Sequence, residues 1–361
     1  MTIKDIRTTH LAIPWTETPA FAPGYSEPRH LLLLELETAD GVTGLGYLQP
    51  LMGGVRTLDT CIHEMIKPAV IGRDETHIEG IWHDLYLQHH SMGRQGIVLF
   101  AMSALDVALW DALGKRARLP LYKLWGACRE EMAVYGSGCY RGLGGDGMIA
   151  KAQRYLKQGF KAVKMQVAWV HTPKQDLENV RRMRETLGPE PVIMIDVNRG
   201  WTADLAIEMG RKFEPYDIYW LEEPVRVDDF EGYQRVARAL TMRVVGAENH
   251  YTRWDMRPFF QEPLVPILQP DFMRGGLTEM RKIAAVADTY GVRIAPHLFP
   301  ELMVHMLCSI PNAEILEYMG WLDDLWVDAP MPDQGMMRPS QRPGHGLAVK
   351  PELLKKYAVK S

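Results

Sequence analysis

The 361-residue sequence predicts an α/β protein, a (β/α)8-type (TIM) barrel preceded by an N-terminal α+β capping domain. Three observations carry that prediction. From Ala133 onward, eight short apolar runs alternate with amphipathic helical segments, and eight repeating βα units close a parallel sheet into a barrel. Three of those runs end in an acid at equal steps of 26 residues, Asp196, Glu222 and Glu248, as equivalent neighbouring strands would. No GxGxxG opens a helix after the first strand, which argues against an open dinucleotide-binding sheet.

The bulk properties narrow the class. A chain of this length exceeds one small core, so two domains are expected: residues 1–125 as the cap and 126–330 as the barrel, with 331–361 returning to the cap. A composition of 47% hydrophobic and 24% charged residues is that of a soluble globular protein. A net charge of −4 supplies no attraction for nucleic acid or an anionic membrane. No apolar run reads as the ~20 residues of a membrane span. Met1-Thr2-Ile3-Lys4-Asp5 leads into a strand rather than a signal peptide. Cys61, Cys128, Cys139 and Cys308 lack CxxC spacing and read as reduced thiols of a cytoplasmic protein. A symmetric homo-oligomer is expected, the commonest form of soluble assembly.

Along the chain, Leu31–Glu37 and Thr43–Tyr47 flank Asp40-Gly41, a hairpin signal. Two loops rich in Pro, Gly and aromatic residues surround this hairpin, one from Trp15 to Glu27 and one from Gln49 to Gly54. Residues 56–125 read as helices. In the clearest, Gly96 to Arg116, Val98, Met102, Leu105, Leu109 and Leu113 recur at helical spacing, and Leu119-Pro120-Leu121 ends it. The eight barrel strands are expected at 133–138, 162–167, 192–197, 218–222, 243–248, 266–271, 293–297 and 313–317. Helices are expected at 149–158, 174–186, 203–213, 230–240 and 278–290, and a short strand at 346–349.

In a barrel, the strand C-termini form the active-site face. The expected strands end in Lys164 and Gln166, Asp196 and Asn198, Glu222, Glu248, Asp271, His297 and Glu317. A single acid at a strand end is more often a cap or an ion-pair partner. Seven strands ending in polar groups at regular intervals point to chemistry instead. Three carboxylates without a thiolate or a histidine pair make a hard, all-oxygen site, suited to Mg²⁺, with Mn²⁺ as second choice, and poorly suited to zinc. Asp271 lies one strand before His297. A carboxylate bonded to one imidazole nitrogen fixes the tautomer and raises the basicity of the other, which is the arrangement of a general base.

Taken in order, Lys164-x-Gln166, Asp196-x-Asn198, Glu222-Glu223-Pro224, Glu248-Asn249, Asp271-x-x-x-Gly275-Gly276, His297 and Glu317 resemble the mandelate racemase subgroup of the enolase superfamily. The helical stretch Ala104-Leu105-Asp106-x-Ala108-Leu109-Trp110-Asp111-x-x-Gly114-Lys115 resembles a signature of the same family. The resemblance spans essentially the whole chain. It implies a carboxylate substrate, a sugar acid, that chelates Mg²⁺ held by Asp196, Glu222 and Glu248. His297, held by Asp271, would remove the proton α to that carboxylate. The metal, Lys164 and the Glu317 carboxylic acid would stabilise the resulting enediolate.

Gln166 departs from the pattern. Family members that move a proton between two faces usually carry a second lysine there, and a glutamine amide takes no proton. A single histidine that first removes the α-proton and then protonates a departing β-hydroxyl needs no second base. The expected reaction is therefore dehydration of an aldonate or aldarate to a 2-keto-3-deoxy acid. A racemase, epimerase or cycloisomerase of the same superfamily is the alternative. A Schiff-base lyase using Lys164 is disfavoured, because it needs no cation, and a non-catalytic binding protein would not need the dyad. Candidate substrate contacts are Gln166, Asn198, Arg141, Tyr25 and Trp15. Phe21, Gln49, Leu51 and Met52 from the loops, with Tyr140, His89 and His90, complete the set.

Overall fold

In the N-terminal sheet, alternation of apolar and polar residues gives three antiparallel strands, β1 (Ile3–Ile13), β2 (Arg29–Thr38) and β3 (Thr43–Leu48), in that spatial order. The computed structural model describes residues 1–15, 28–51, 53–261 and 265–359. The β2–β3 turn works because Gly41 takes φ 85°, a left-handed conformation that costs glycine little. The helix Ile97–Ala117 packs against β3 so closely that a Cβ on Gly46 would sit 1.9 Å from the Ala104 carbonyl oxygen, and one on Gly44 2.0 Å from that of Ala108.

That helix is long and apolar enough, by length and composition, to cross a membrane, a point the sequence reading missed. Most of it is buried inside the protein instead, and its polar side chains explain why. Asp106 accepts the Thr278 N–H at 2.9 Å and its hydroxyl at 2.5 Å, while the Trp110 indole N–H donates to Thr278 Oγ1 at 2.8 Å. Ser103 Oγ donates to the Met273 carbonyl at 2.9 Å. These bonds seat the cap on the barrel helix Gly276–Thr289 and on the turn before it.

The barrel strands are β4 (Met132–Cys139), β5 (Ala162–Gln166), β6 (Val192–Asp196), β7 (Ile218–Glu222), β8 (Arg243–Val245), β9 (Ile267–Leu268), β10 (Arg293–Ile294) and β11 (Leu316–Tyr318). Six pair continuously as β11-β4-β5-β6-β7-β8, and β9 pairs with β10. Single parallel bridges, Gly246 to Leu268 and Ile294 to Ala313, join the two pieces into a ring. All eight strands run parallel, and helices cover the outside. The later strands are shorter than their apolar runs, because the residues past β8, β9 and β10 leave the ladder to present side chains. Tyr135, Ala162, Met194, Trp220, Val245, Ile267 and Ala295 fill the interior as a separate apolar cluster. Met194 and Trp220 lie one inward position below Asp196 and Glu222, so the acids rest on a dry floor.

Two elements differ from expectation. A helix, Pro300–Ser309, lies between β10 and β11, with residues 300–308 all buried. Having no polar face, it shows no amphipathic period to read. The strand expected at 346–349 is only a single bridge from Val349 to Trp326, while β12 (Met336–Met337) pairs antiparallel with β4. Gly344 and Gly346, at φ 74° and 72°, turn the tail out of an extended ladder. The tail instead ties the cap down: the Leu121 N–H donates to the Gly344 carbonyl at 2.9 Å, and the His345 N–H to Asp111 Oδ1 at 3.1 Å.

Candidate active site

Parallel register places the first acids. Gln166 pairs with Asp196, and Asp196 with Glu222, so three consecutive strand ends stand at one level. Glu248 arrives differently, since Glu222 pairs with Val245. The chain leaves β8 through Gly246 and through Ala247 at φ 90°, and Glu223 Oε1 accepts the Ala247 N–H at 2.9 Å. Glu223 is thus a positioning residue for Glu248, a role the sequence reading did not assign although the residue sits inside the Glu222-Glu223-Pro224 motif.

Across the barrel, Ile267 pairs with Arg293, and the same offset carries Asp271 beside His297. His297 Nδ1 lies 2.9 Å from Asp271 Oδ2, and Asp271 Oδ1 accepts the Met273 N–H at 2.8 Å. In the neutral ring, with Nδ1 as the donor, Nε2 carries the lone pair; Nε2 stands 3.4 Å from Glu248 Oε2. Lys164 Nζ lies 2.5 Å from Glu222 Oε1, 2.9 Å from Glu317 Oε1 and 3.6 Å from Asp196 Oδ2. The Leu298 N–H, next to the histidine, donates to Glu317 Oε2 at 2.7 Å.

Electrostatics follow from this burial. Desolvation raises the Asp196 carboxyl and drives Glu222 well above the usual carboxylate range, against the pull of Lys164. Desolvation would lower both Lys164 and His297, but carboxylates outweigh it. Glu222 and Glu317 hold Lys164 well above its ordinary value, and Glu248 with Asp271 raises His297 to about 9. Burial alone would raise Glu317 as well; Lys164 and His297 instead hold it at about 2. In this arrangement Glu317 is ion-paired with Lys164.

Comparison with known proteins adds the decisive observation. Residues 6–126 match the mandelate racemase/muconate lactonizing enzyme N-terminal domain, and residues 147–353 match the enolase C-terminal domain-like family. The chain belongs to the mandelate racemase/muconate lactonizing enzyme family. Among its relatives, a 3,6-anhydro-alpha-L-galactonate cycloisomerase from Streptomyces coelicolor is 34% identical, with 99% of each chain aligned. An arabinonate dehydratase from Saccharolobus solfataricus is 32% identical over 99% of this chain and 100% of its own. A crystal structure described as a racemase from S. coelicolor A3(2) with bound magnesium superposes with a TM-score of 0.94, at 32% identity, covering 99% of this chain and 100% of that one.

For this family member, the donor set fits a hard dication in type and charge. Asp196, Glu222 and Glu248 are buried oxygen donors, and the carboxylates around them outnumber the two facing bases, Lys164 and His297. Among the described residues, however, no three His, Cys, Asp or Glu side chains converge into a finished cage. Asp196 takes two bonds from Asn198, Glu222 is drawn to Lys164, and Glu248 faces His297. A dication would compete with these three partners.

The site opens into a cavity of about 370 Å³ lined by Glu248, Asp271 and His297 on the barrel side and by Pro50, Leu51 and Phe100 on the cap side. Gly53, Arg199, Asn249, Tyr251, Met273 and Arg274 complete the wall; the sequence reading assigned none of them to it, although Asn249 is part of the Glu248-Asn249 motif and Arg199 directly follows Asn198. A larger hollow of about 540 Å³, beside His90 and Trp254, contains none of the strand-end acids, so the chemistry belongs to the smaller one. His89 and His90 lie on the cap helix Ile78–Gly93.

Gln166 is buried beside Asp196, and its Oε1 has no partner. Asn198 is committed to Asp196. Arg141, a candidate substrate contact, is buried, with its Nε donating to the Val167 carbonyl at 3.0 Å and its Nη2 to Asn198 Oδ1 at 2.5 Å. Trp15 packs edge-on against Trp321, whose indole N–H donates to Tyr140 Oη at 2.7 Å. Phe21, Tyr25 and Met52 lie outside the described residues.

Proposed function

We propose that this chain is a Mg²⁺-dependent acid-sugar dehydratase. The observation that carries the reading is the His297–Asp271 pair facing the buried carboxylates across the cavity, with Gln166 where a second proton carrier would stand. Mg²⁺ held by Asp196, Glu222 and Glu248 would withdraw charge from the substrate carboxylate and so acidify its α-proton. Lys164, at the same strand ends, places a fixed positive charge where the enediolate develops. His297 Nε2 removes the α-proton, and Asp271 keeps Nδ1 protonated and the ring oriented. The imidazolium then returns that proton to the β-hydroxyl. The C–O bond breaks, water leaves, and the enol rearranges to a 2-keto-3-deoxy acid.

The test is a library of mono- and di-acid sugars incubated with Mg²⁺ and assayed for 2-keto acid. Replacing His297 with Asn is expected to cost at least about 10²–10⁴-fold in kcat. Undiminished turnover in that variant would remove His297 as the base. A second reading, cycloisomerase, is favoured by the 34% identical relative. The product mass separates the two: dehydration gives a product lighter by one water, whereas cycloisomerisation leaves the mass unchanged. We further propose a cytoplasmic homo-oligomer, consistent with the unpaired cysteines and testable by fractionation and light scattering.

A further inference from the structure

Asp196 and Glu222 end β6 and β7, where neighbouring strands hold the backbone on both sides. Glu248 has no such support. It lies three residues past the end of β8 and two past the bridge from Gly246 to Leu268. A ligand placed there needs its orientation fixed by something other than the sheet.

Arg274 supplies that restraint. Its Nε donates to the Glu248 carbonyl at 2.9 Å, its Nη2 to Asn249 Oδ1 at 3.0 Å and its Nη1 to Tyr251 Oη at 3.1 Å. One planar fork thus grips one short segment. Asn249 Nδ2 in turn donates to Glu248 Oε1 at 3.0 Å. A guanidinium only donates, so it fixes which way the Asn249 amide faces, oxygen toward Arg274 and NH2 toward the carboxylate. One oxygen of Glu248 is held in this way, while Oε2 turns to His297.

The other side of Arg274 belongs to the cap. Its guanidinium carbon lies 5.1 Å from the centroid of the Phe100 ring and 5.1 Å from that of Tyr251, and the two rings stack 6.0 Å apart. Phe100 stands in the first turn of the cap helix Ile97–Ala117. Cap side chains also hold the residues on either side of Arg274. Ser103 Oγ donates to the Met273 carbonyl at 2.9 Å, and the Trp82 indole N–H to the Gly275 carbonyl at 2.7 Å. The turn gripped at these successive positions starts at Asp271, whose Oδ1 accepts the Met273 N–H.

We infer that Arg274 is a positioning residue that couples the seating of the cap to the Glu248 carboxylate, through Phe100 on one side and Asn249 on the other. The inference rests on the reading of Asp196, Glu222 and Glu248 as a dication site. With the cap seated, the ligand that the sheet leaves unsupported is oriented before the ion arrives, so less ordering remains to be done on binding.

The experiment titrates the full chain, without substrate, with Mn²⁺ alone, counting the free ion by its paramagnetic resonance. Arg274→Met is expected to weaken binding about 10–100-fold, and so is Arg274→Lys, whose single ammonium does not replace the fork. Phe100→Leu keeps an apolar side chain, removes the ring face and is expected to cost about 2–5-fold. In the Arg274→Met background, Phe100→Leu and Asn249→Ala are each expected to add less than about twofold. Wild-type affinity in either Arg274 variant overturns the inference. So does a Phe100→Leu loss equal in both backgrounds, which is what a merely structural role would give. If neither Arg274 variant folds, the Phe100→Leu, Asn249→Ala double variant decides: losses that multiply in full overturn the coupling, and losses that fall short of the product support it. If wild type takes up no Mn²⁺, the dication reading itself fails, and the coupling with it.

Discussion

Arg141 shows what a residue's identity conveys and what it hides. The sequence correctly marks it as a guanidinium near strand ends, but only the fold shows where its bonds go. It holds the Asn198 side-chain oxygen, and Asn198 in turn donates its side-chain and backbone N–H groups to the two oxygens of Asp196. Arg141 is thereby a positioning residue for a proposed metal ligand. Replacing it with Met is expected to weaken dication affinity about 10–100-fold, the usual cost of losing an outer partner. Calorimetric titration with the metal alone checks this. In an Asn198→Ala background, the same change should add little further loss, and full additivity would show that Arg141 acts by another route. The acids themselves were legible because their spacing repeats. The roles of Glu223 and Arg141 were not, because a single hydrogen bond to a backbone N–H or to a side-chain oxygen leaves no period in the sequence.

At the scale of elements, legibility followed amphipathicity. The barrel helices with one polar face were readable, and the fully buried Pro300–Ser309 was not. The shortness of β8 to β10 was hidden too, since apolar runs continue past the point where pairing stops. Packing of β3 on the helix Ile97–Ala117 gives a sharp prediction. Gly46→Ala would drive a methyl into the Ala104 carbonyl, an overlap with backbone that no rotamer relieves. A loss of about 3 kcal/mol is expected from such overpacking, measured by denaturant unfolding. A loss below about 0.5 kcal/mol, the range of an ordinary surface change, would show that helix and strand separate freely.

For the whole molecule, buried acids contribute a definite part of the response to pH. Burial raises Asp106 and Asp176 from 3.8 to about 7, and Glu301 from 4.5 to about 7. Between their unfolded and folded values, the folded chain holds more protons, so stability present below about pH 4 is lost as pH rises through about 7. Buried His305, lowered by desolvation to about 3, acts in the opposite sense below about pH 6.5. The difference between wild type and Glu301→Gln isolates the acid, and with chelator present the wild-type melting temperature is expected to fall relative to the variant's between about pH 5 and pH 8. An unchanged difference between wild type and variant across this interval would contradict the burial account. One further consequence comes from the ring's two single-bridge joints. β9 and β10 form a separate pair that carries Asp271 and His297 together, bonded to each other and held to their neighbours by one bridge on either side. In the language of recombination, residues 265–298 are a cassette: exchanged whole between related barrels, the segment would bring the base and its carboxylate with their mutual geometry intact, whereas a crossover between the two strands would leave a histidine facing a foreign partner.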